Sequence, residues 1–250
     1  MDDIGAIASS APMNDLYQKI NKYVYEIQMM ELEEYLYGMN RKNIDDEKAY
    51  DIIINAPDSD SNPLMLYWKA RFADPKYPQM SNHISCRVEK NKSKAIALYK
   101  MAVELNIEGM AENGDKYACA YLGWMYRHGR GVIENCSKAV KWLRKAAEQG
   151  HADAQSNLGW MYYFGQGVDE DNPIENNATA LEWYRKAAEQ GHAYTQHDLG
   201  FMYEKGYCSD KNKSAAAEWY HQAAEQGHPH AQNDLDHLIY YSSDTGWEEE

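Results

Sequence analysis

Three stretches of this chain are near copies of one another: KAVKWLRKAAEQGHADAQ from Lys138, TALEWYRKAAEQGHAYTQ from Thr179 and SAAAEWYHQAAEQGHPHAQ from Ser214. Gly150, Gly191 and Gly227 close them, a weaker copy closes at Gly114, and the closures lie 36, 41 and 36 residues apart. A second recurring block runs between them: AYLGWMYRHGRGV, SNLGWMYYFGQGV and HDLGFMYEKGYCS. Each unit therefore holds two apolar-periodic stretches of about three to four turns joined by a Gly-rich turn, which is a helical hairpin. A single hairpin cannot bury its own apolar face. The units must stack on one another, and the expected fold is an all-α solenoid.

The residue types support that unit. Ala154, Leu158 and Tyr162 recur every four residues and fall on one helical face. Gly159 follows Leu158 and lets the neighbouring helix approach closely, as Gly123 and Gly200 would in their copies. Gly165 and Gly167 end the first helix, where a positive φ costs glycine nothing. On the second helix Ala180, Trp183, Tyr184, Ala187 and Ala188 mix small and large side chains for interdigitation.

The pattern AxAxxxLGxMYxxGxGVxxxxxKAxxWYxKAAxxGH resembles the Sel-1-like repeat family, relatives of the tetratricopeptide repeats. Residues 115–150, 151–191 and 192–227 follow it closely, and 228–241 resemble the first helix of a further copy that serves as a cap. Residues 63–114 resemble a degenerate copy, with Leu66, Tyr67 and Ala70 in its first helix and Ala95, Leu98, Tyr99 and Ala102 in its second. The resemblance covers about 180 residues of the chain. It implies a right-handed α/α superhelix that acts as a protein-interaction scaffold or adaptor, without catalysis. Two departures stand out: Tyr207-Cys208 replaces the expected GxGV in the third copy, and the second copy has a longer loop. Some cysteine-rich relatives bridge a Cys three before the Leu to one at the end of the second helix. Cys119 holds the first position but Ala147 the second, so that pairing is not expected.

The organisation expected is an acidic helical cap over 1–60, the degenerate repeat over 61–114, three repeats with a capping helix over 115–241, and an acidic tail over 242–250. The cap reads as a long amphipathic helix from Asp15 to Tyr37 and a second from Asp45 to Asn55. Residues 75–92 read as an exposed loop. Twenty-five basic residues against thirty-nine acidic give a net charge of −14, and the first sixty residues alone contribute −8. That balance argues against a phosphate-backbone binder, so no nucleic-acid partner is expected. No run approaches the roughly 18 apolar residues of a membrane span, and Asp2 and Asp3 stand where a leader peptide would be basic. Four scattered cysteines without a CxxC pair suggest reduced thiols. The expectation is a cytoplasmic protein with no membrane partner.

Aligning the Leu-Gly pairs puts Trp124, Trp160 and Phe201 in register, two residues after Leu122, Leu158 and Leu199. In the tetratricopeptide arrangement this position faces the concave groove. The same alignment places Tyr117, Ala120, Arg127 and His128 there in the first copy, Asp153, Ser156, Tyr163 and Phe164 in the second, and Tyr194, His197, Glu204 and Lys205 in the third. Aromatics repeated in register form a ladder of interface anchors. The plainer alternative is that the rings only fill space between successive first helices.

The remaining polar clusters have plainer readings. His151, His192 and His228 hold one repeat position and are expected to be structural, and the cluster His228, His230 and His237 is not expected to bind a metal. The insertion Asp169–Glu175 is acidic but lacks the glycine and ligand spacing of an EF-hand loop, so it reads as an acidic surface loop. No nucleophile–base motif or HExxH occurs, and the G-x-G elements at Gly129 and Gly165 lie between helices, so neither an enzyme nor a cofactor is expected. What remains is an adaptor gripping a protein partner. It could be an intracellular inhibitor, such as an immunity protein covering a basic toxin, or a scaffold for signalling or assembly. From another class, the aromatic ladder could bind a carbohydrate or cell-wall fragment.

Overall fold

The computed structural model describes residues 29, 30 and 32 and the segments 46–55, 60–74, 91–168, 173–207 and 211–243. The helix expected over 15–37 falls almost wholly outside them. Cys86, Cys208 and residues 244–250 of the tail are outside as well. Among the described residues the chain forms eleven helices and no strand: α1 (Asp46–Asn55), α2 (Pro63–Ala73), α3 (Lys92–Glu104), α4 (Ile107–Glu112), α5 (Lys116–His128), α6 (Cys136–Glu148), α7 (Ala152–Tyr163), α8 (Pro173–Glu189), α9 (Ala193–Lys205), α10 (Lys213–Glu225) and α11 (Ala231–Ser243). None is long and apolar enough to cross a membrane.

The hairpins are α2–α3, α5–α6, α7–α8 and α9–α10, and α11 packs on α10 as an unpaired first helix. Each hairpin starts at a capping side chain. Asn62, Asp115, His151 and His192 open the first helices, and Asn91, Asn135 and Asn212 open the second. The repeated histidines are structural because their Nδ1 accepts a backbone N–H, from Ala154 for His151 and from Thr195 for His192, both at 3.2 Å. Asn91 caps α3, so the loop expected to run through residue 92 ends sooner. The acidic insertion also becomes helical at Pro173, within the span expected to be loop. Four residues of that insertion, 169–172, lie outside the described segments.

Gly123 and Gly200 are where the two helices of a hairpin meet. A Cβ on Gly123 would lie 2.7 Å from Leu143 Cγ and 3.0 Å from the Leu143 backbone nitrogen, and one on Gly200 would lie 2.8 Å from the Tyr220 ring. Between hairpins, Tyr67 is the hub at the N-terminal end. Its ring stacks on Tyr121 at 4.4 Å and 6° and meets Trp68 and Trp124 edge-on. Farther along, a relay of amides joins the units. Gln155 donates to the carbonyl of Ala147 at 3.0 Å and accepts from Gln190 at 2.6 Å. Gln196 repeats this one unit later, donating to Ala188 at 3.0 Å and accepting from Gln226. In the first full copy the same register holds Cys119, whose thiol donates to Ala111. Burial pushes that thiol up to about 11, so it is unreactive.

The helix α4 has no counterpart in the repeat pattern. It forms because Asn106 adopts a left-handed φ of 72° and accepts the Gly109 N–H, while Ile107 and Ala111, four residues apart, are fully buried. It fills the space beside α5 after the degenerate hairpin.

The C-terminal junction responds to pH. His228 is 8% exposed, stacked at 4.3 Å on His197, and burial, helped by His197 and His230, pulls its pKa down to about 3. The unfolded chain takes up a proton near pH 6.5 that the folded chain refuses. His228 therefore stabilises the fold above that pH, and the contribution is lost as pH falls from 6.5 towards 3, by at most about 1.4 kcal/mol per unit. His197 works the other way. Burial disfavours its charge, but hydrogen bonds to Asp198 and Asp234 together outweigh that and raise its pKa, so its contribution is present at low pH and fades as pH rises through the raised value. The expected net result is a drop of about 1–2 kcal/mol between pH 6.5 and 5. His228→Asn should reduce that dependence, leaving the share of His128, whose pKa is lowered in the same sense, as read from thermal melts at the two pH values.

Candidate interaction groove

Successive first helices pack on each other, α2 on α5 and α5 on α7, more closely than successive second helices do. The first helices therefore form the inside of the curve. Counting from each capping residue, Trp124, Trp160 and Phe201 all stand nine positions into their helices. Counting nine from Asn62 lands on Arg71, which extends the column by one unit. The degenerate copy lacks the Leu-Gly pair, so alignment on that pair misses Arg71. The cap Asn62 is the signal that finds it.

The column rings do two jobs. Trp124 and Trp160 are half-buried and pack against the core, while Phe201 is 41% exposed. Trp160 contacts Phe164 with ring centroids at 4.3 Å, Phe164 meets Tyr163 at 4.8 Å, Tyr163 reaches Tyr207 at 6.2 Å, and Tyr207 reaches Phe201 at 5.8 Å. Five rings thus form one continuous patch, with Phe164, Phe201 and Tyr207 turned to solvent. Tyr207 belongs to the departure from the GxGV pattern, and it is the residue that connects Phe201 to the rest.

The N-terminal end of the groove carries arginines. Arg71 lies between two indoles, 4.8 Å from the Trp68 ring and 4.7 Å from that of Trp124, and donates to Tyr67 Oη at 3.1 Å. Arg127 Cζ lies over the Trp160 ring, 3.7 Å from its centroid, and the guanidinium donates to Asn157 Oδ1 at 2.6 Å. Arg130 pairs with Asp74 at 2.7 Å. His128 sits on Trp124 at 4.4 Å. Although the residue as a whole is exposed, desolvation of the ring face against Trp124, reinforced by Arg127, Arg71 and Arg130, holds its imidazole below the usual range, so it is neutral.

The C-terminal end is the reverse. His197 pairs with Asp234 at 2.6 Å, and Tyr194 meets His228 at 4.9 Å. Glu204 accepts from the Tyr220 hydroxyl at 2.9 Å and pairs with Lys205. Burial disfavours the Glu204 charge, yet those two hydrogen bonds keep its pKa below the usual value.

Three expected groove residues are turned inward. Tyr117 is 2% exposed and Ala120 is 1% exposed, both packed in the core. Asp153 is 9% exposed. Its carboxylate accepts from Asn157 at 3.0 Å and lies 4.0 Å from His192, which leaves little of it for a partner. Ser156, Tyr163, Tyr194, His197 and Glu204 are half-buried on the first helices, and His128, Phe164 and Lys205 are exposed there.

The Sel1 repeat model matches residues 85–107, 116–151, 152–192 and 193–228, more than half of the chain. A crystal structure of a Sel1 repeat protein from Oxalobacter formigenes is 38% identical over 54% of this chain and 97% of its own, with a TM-score of 0.47. A protective antigen present in uropathogenic Escherichia coli strains, which displays an SLR fold, is 29% identical over 92% of this chain, with a TM-score of 0.50. The present chain spans 44% of that antigen's length. No curated protein matches.

Proposed function

The chain belongs to the Sel1 repeat family, and on that premise we propose that it is a non-enzymatic interaction module whose groove grips a segment of one protein partner. Members of this family generally mediate protein–protein interaction. The observation that supports the groove as the binding face is the continuous aromatic patch of Trp160, Tyr163, Phe164, Tyr207 and Phe201, three of whose rings are exposed. Rigid aromatic rings anchor interfaces at low entropic cost.

Within that role we favour an inhibitor, for instance an immunity protein that covers a toxin. A net charge of −14 would steer a basic partner and raise its association rate. Affinity purification of the full chain from its native cell, beside a Trp124/Trp160/Phe201→Ala variant, tests both levels. One stoichiometric protein lost in the variant supports the groove, and a basic one supports the inhibitor. A partner retained by the variant moves the contact elsewhere.

A further inference from the structure

Resting on the groove reading, we infer that the arginine end of the groove is a seat for a carboxylate, so that the partner contributes an extended segment with an Asp or Glu beside an apolar side chain. The residue at the centre is Arg127. Among the described residues no carboxylate lies within ion-pair distance of it, and its hydrogen bond goes to the neutral amide of Asn157. The guanidinium is half-buried, and its Cζ lies over the Trp160 ring, 3.7 Å from the centroid. A cation in that setting has lost much of its water, the Asp153 carboxylate meets it through the intervening Asn157 amide, and burial outweighs that charge and depresses its pKa.

The surroundings reinforce it. Arg71 and Arg130 lie on the same side of the groove near His128. Among the described residues Asp74 is engaged by Arg130 and Asp153 by Asn157. His128 is neutral and adds no charge of its own. Arg127 thus has no direct carboxylate partner among the described residues, in a chain of net charge −14, which makes an incoming anion the complementary group. A planar guanidinium with unused donors suits a carboxylate by two parallel hydrogen bonds. The anion would sit one step from the exposed rings of the patch.

Selection of random peptides of about 12 residues displayed on phage against the full chain, with Trp160→Ala as counter-selection, supplies the probes. The expected pool carries an Asp or Glu next to an aromatic or aliphatic residue. A synthetic peptide from that pool should lose about tenfold or more in affinity against Arg127→Gln, and less against Arg127→Lys, which keeps the charge but not the planar fork. With the unaltered chain, raising NaCl from 0.1 to 0.5 M should weaken the same peptide about threefold or more, a readout that does not depend on any variant folding. Groove-dependent peptides that are neutral or basic, or acidic ones indifferent to both Arg127→Gln and salt, overturn the carboxylate seat and leave the groove reading standing. A selection in which no peptide distinguishes the chain from a folded Trp160→Ala removes the groove reading as well.

Discussion

Trp160→Ala is expected to weaken partner binding about a hundredfold, or roughly 2–3 kcal/mol. The ring is the one column residue that meets both ends of the groove: it supports Arg127 on one side and touches Phe164, the start of the exposed patch, on the other. Removing it takes away an anchor and also frees Arg127 from its stacked position. The same substitution should cost about 2 kcal/mol of stability, because the indole is half-buried and packs against two core clusters. Phe201→Ala should cost less on both counts, since Phe201 is 41% exposed and touches only Tyr207 among the rings. Titration calorimetry with the captured partner or a selected peptide, beside thermal melts, separates the two effects. Equal affinities for the chain and a folded Trp160→Ala would remove the indole from the binding site.

Gly167→Ala is expected to destabilise the second repeat by about 3 kcal/mol or more. Two costs coincide there. Gly167 has φ +70°, a conformation that L side chains rarely adopt, and an added Cβ would lie 2.4 Å from the carbonyl carbon and oxygen of Cys136. Those atoms are backbone at the start of α6 and cannot swing away, so the inter-repeat contact has to open. Gly131 meets the Tyr99 carbonyl in the same way at 2.8 Å. Gly150 is the control: it has φ +82° but nothing within 4 Å of a Cβ, so Gly150→Ala should cost only about 1 kcal/mol. Denaturant melts of the two variants compare a clash plus backbone strain with backbone strain alone. Equal losses would mean the loop accommodates the methyl group.

Much of this was legible from the residues. Gly-x-Gly after the first helices of the first two full copies, small residues at Gly123, Gly159 and Gly200, and the recurrence of His after Gly all describe features of the folded hairpins. The repeats are locally self-consistent, so pattern and packing agree. The histidines illustrate the limit of that approach. Their recurrence marks them as structural, but only geometry reveals an imidazole nitrogen acting as a helix cap. The helix α4 was not legible, because it depends on a left-handed Asn106, a conformation no repeat pattern encodes. Asp153 was misplaced for a related reason: its register position faces the groove, but the Asn157 amide and neighbouring His192 draw it inward. Arg71 was hidden because the degenerate copy lost the Leu-Gly pair used for alignment while keeping the capping Asn62. Tyr207 was visible only as an irregularity, and its contribution to the patch comes from where the neighbouring Tyr163 and Phe201 rings lie.

The amide relay also bears on how such a chain can lengthen. A duplicated unit cut between Gly191 and His192 would bring its own capping histidine, its own inward amide and its own terminal glutamine, so each new junction would repeat one already in place. The first full copy offers no such joint, since Cys119 has a thiol there and α4 occupies the neighbouring space. A whole unit added on the C-terminal side therefore meets a junction of the kind already present. The aromatic stretch can be extended one rung at a time while the arginine end stays fixed.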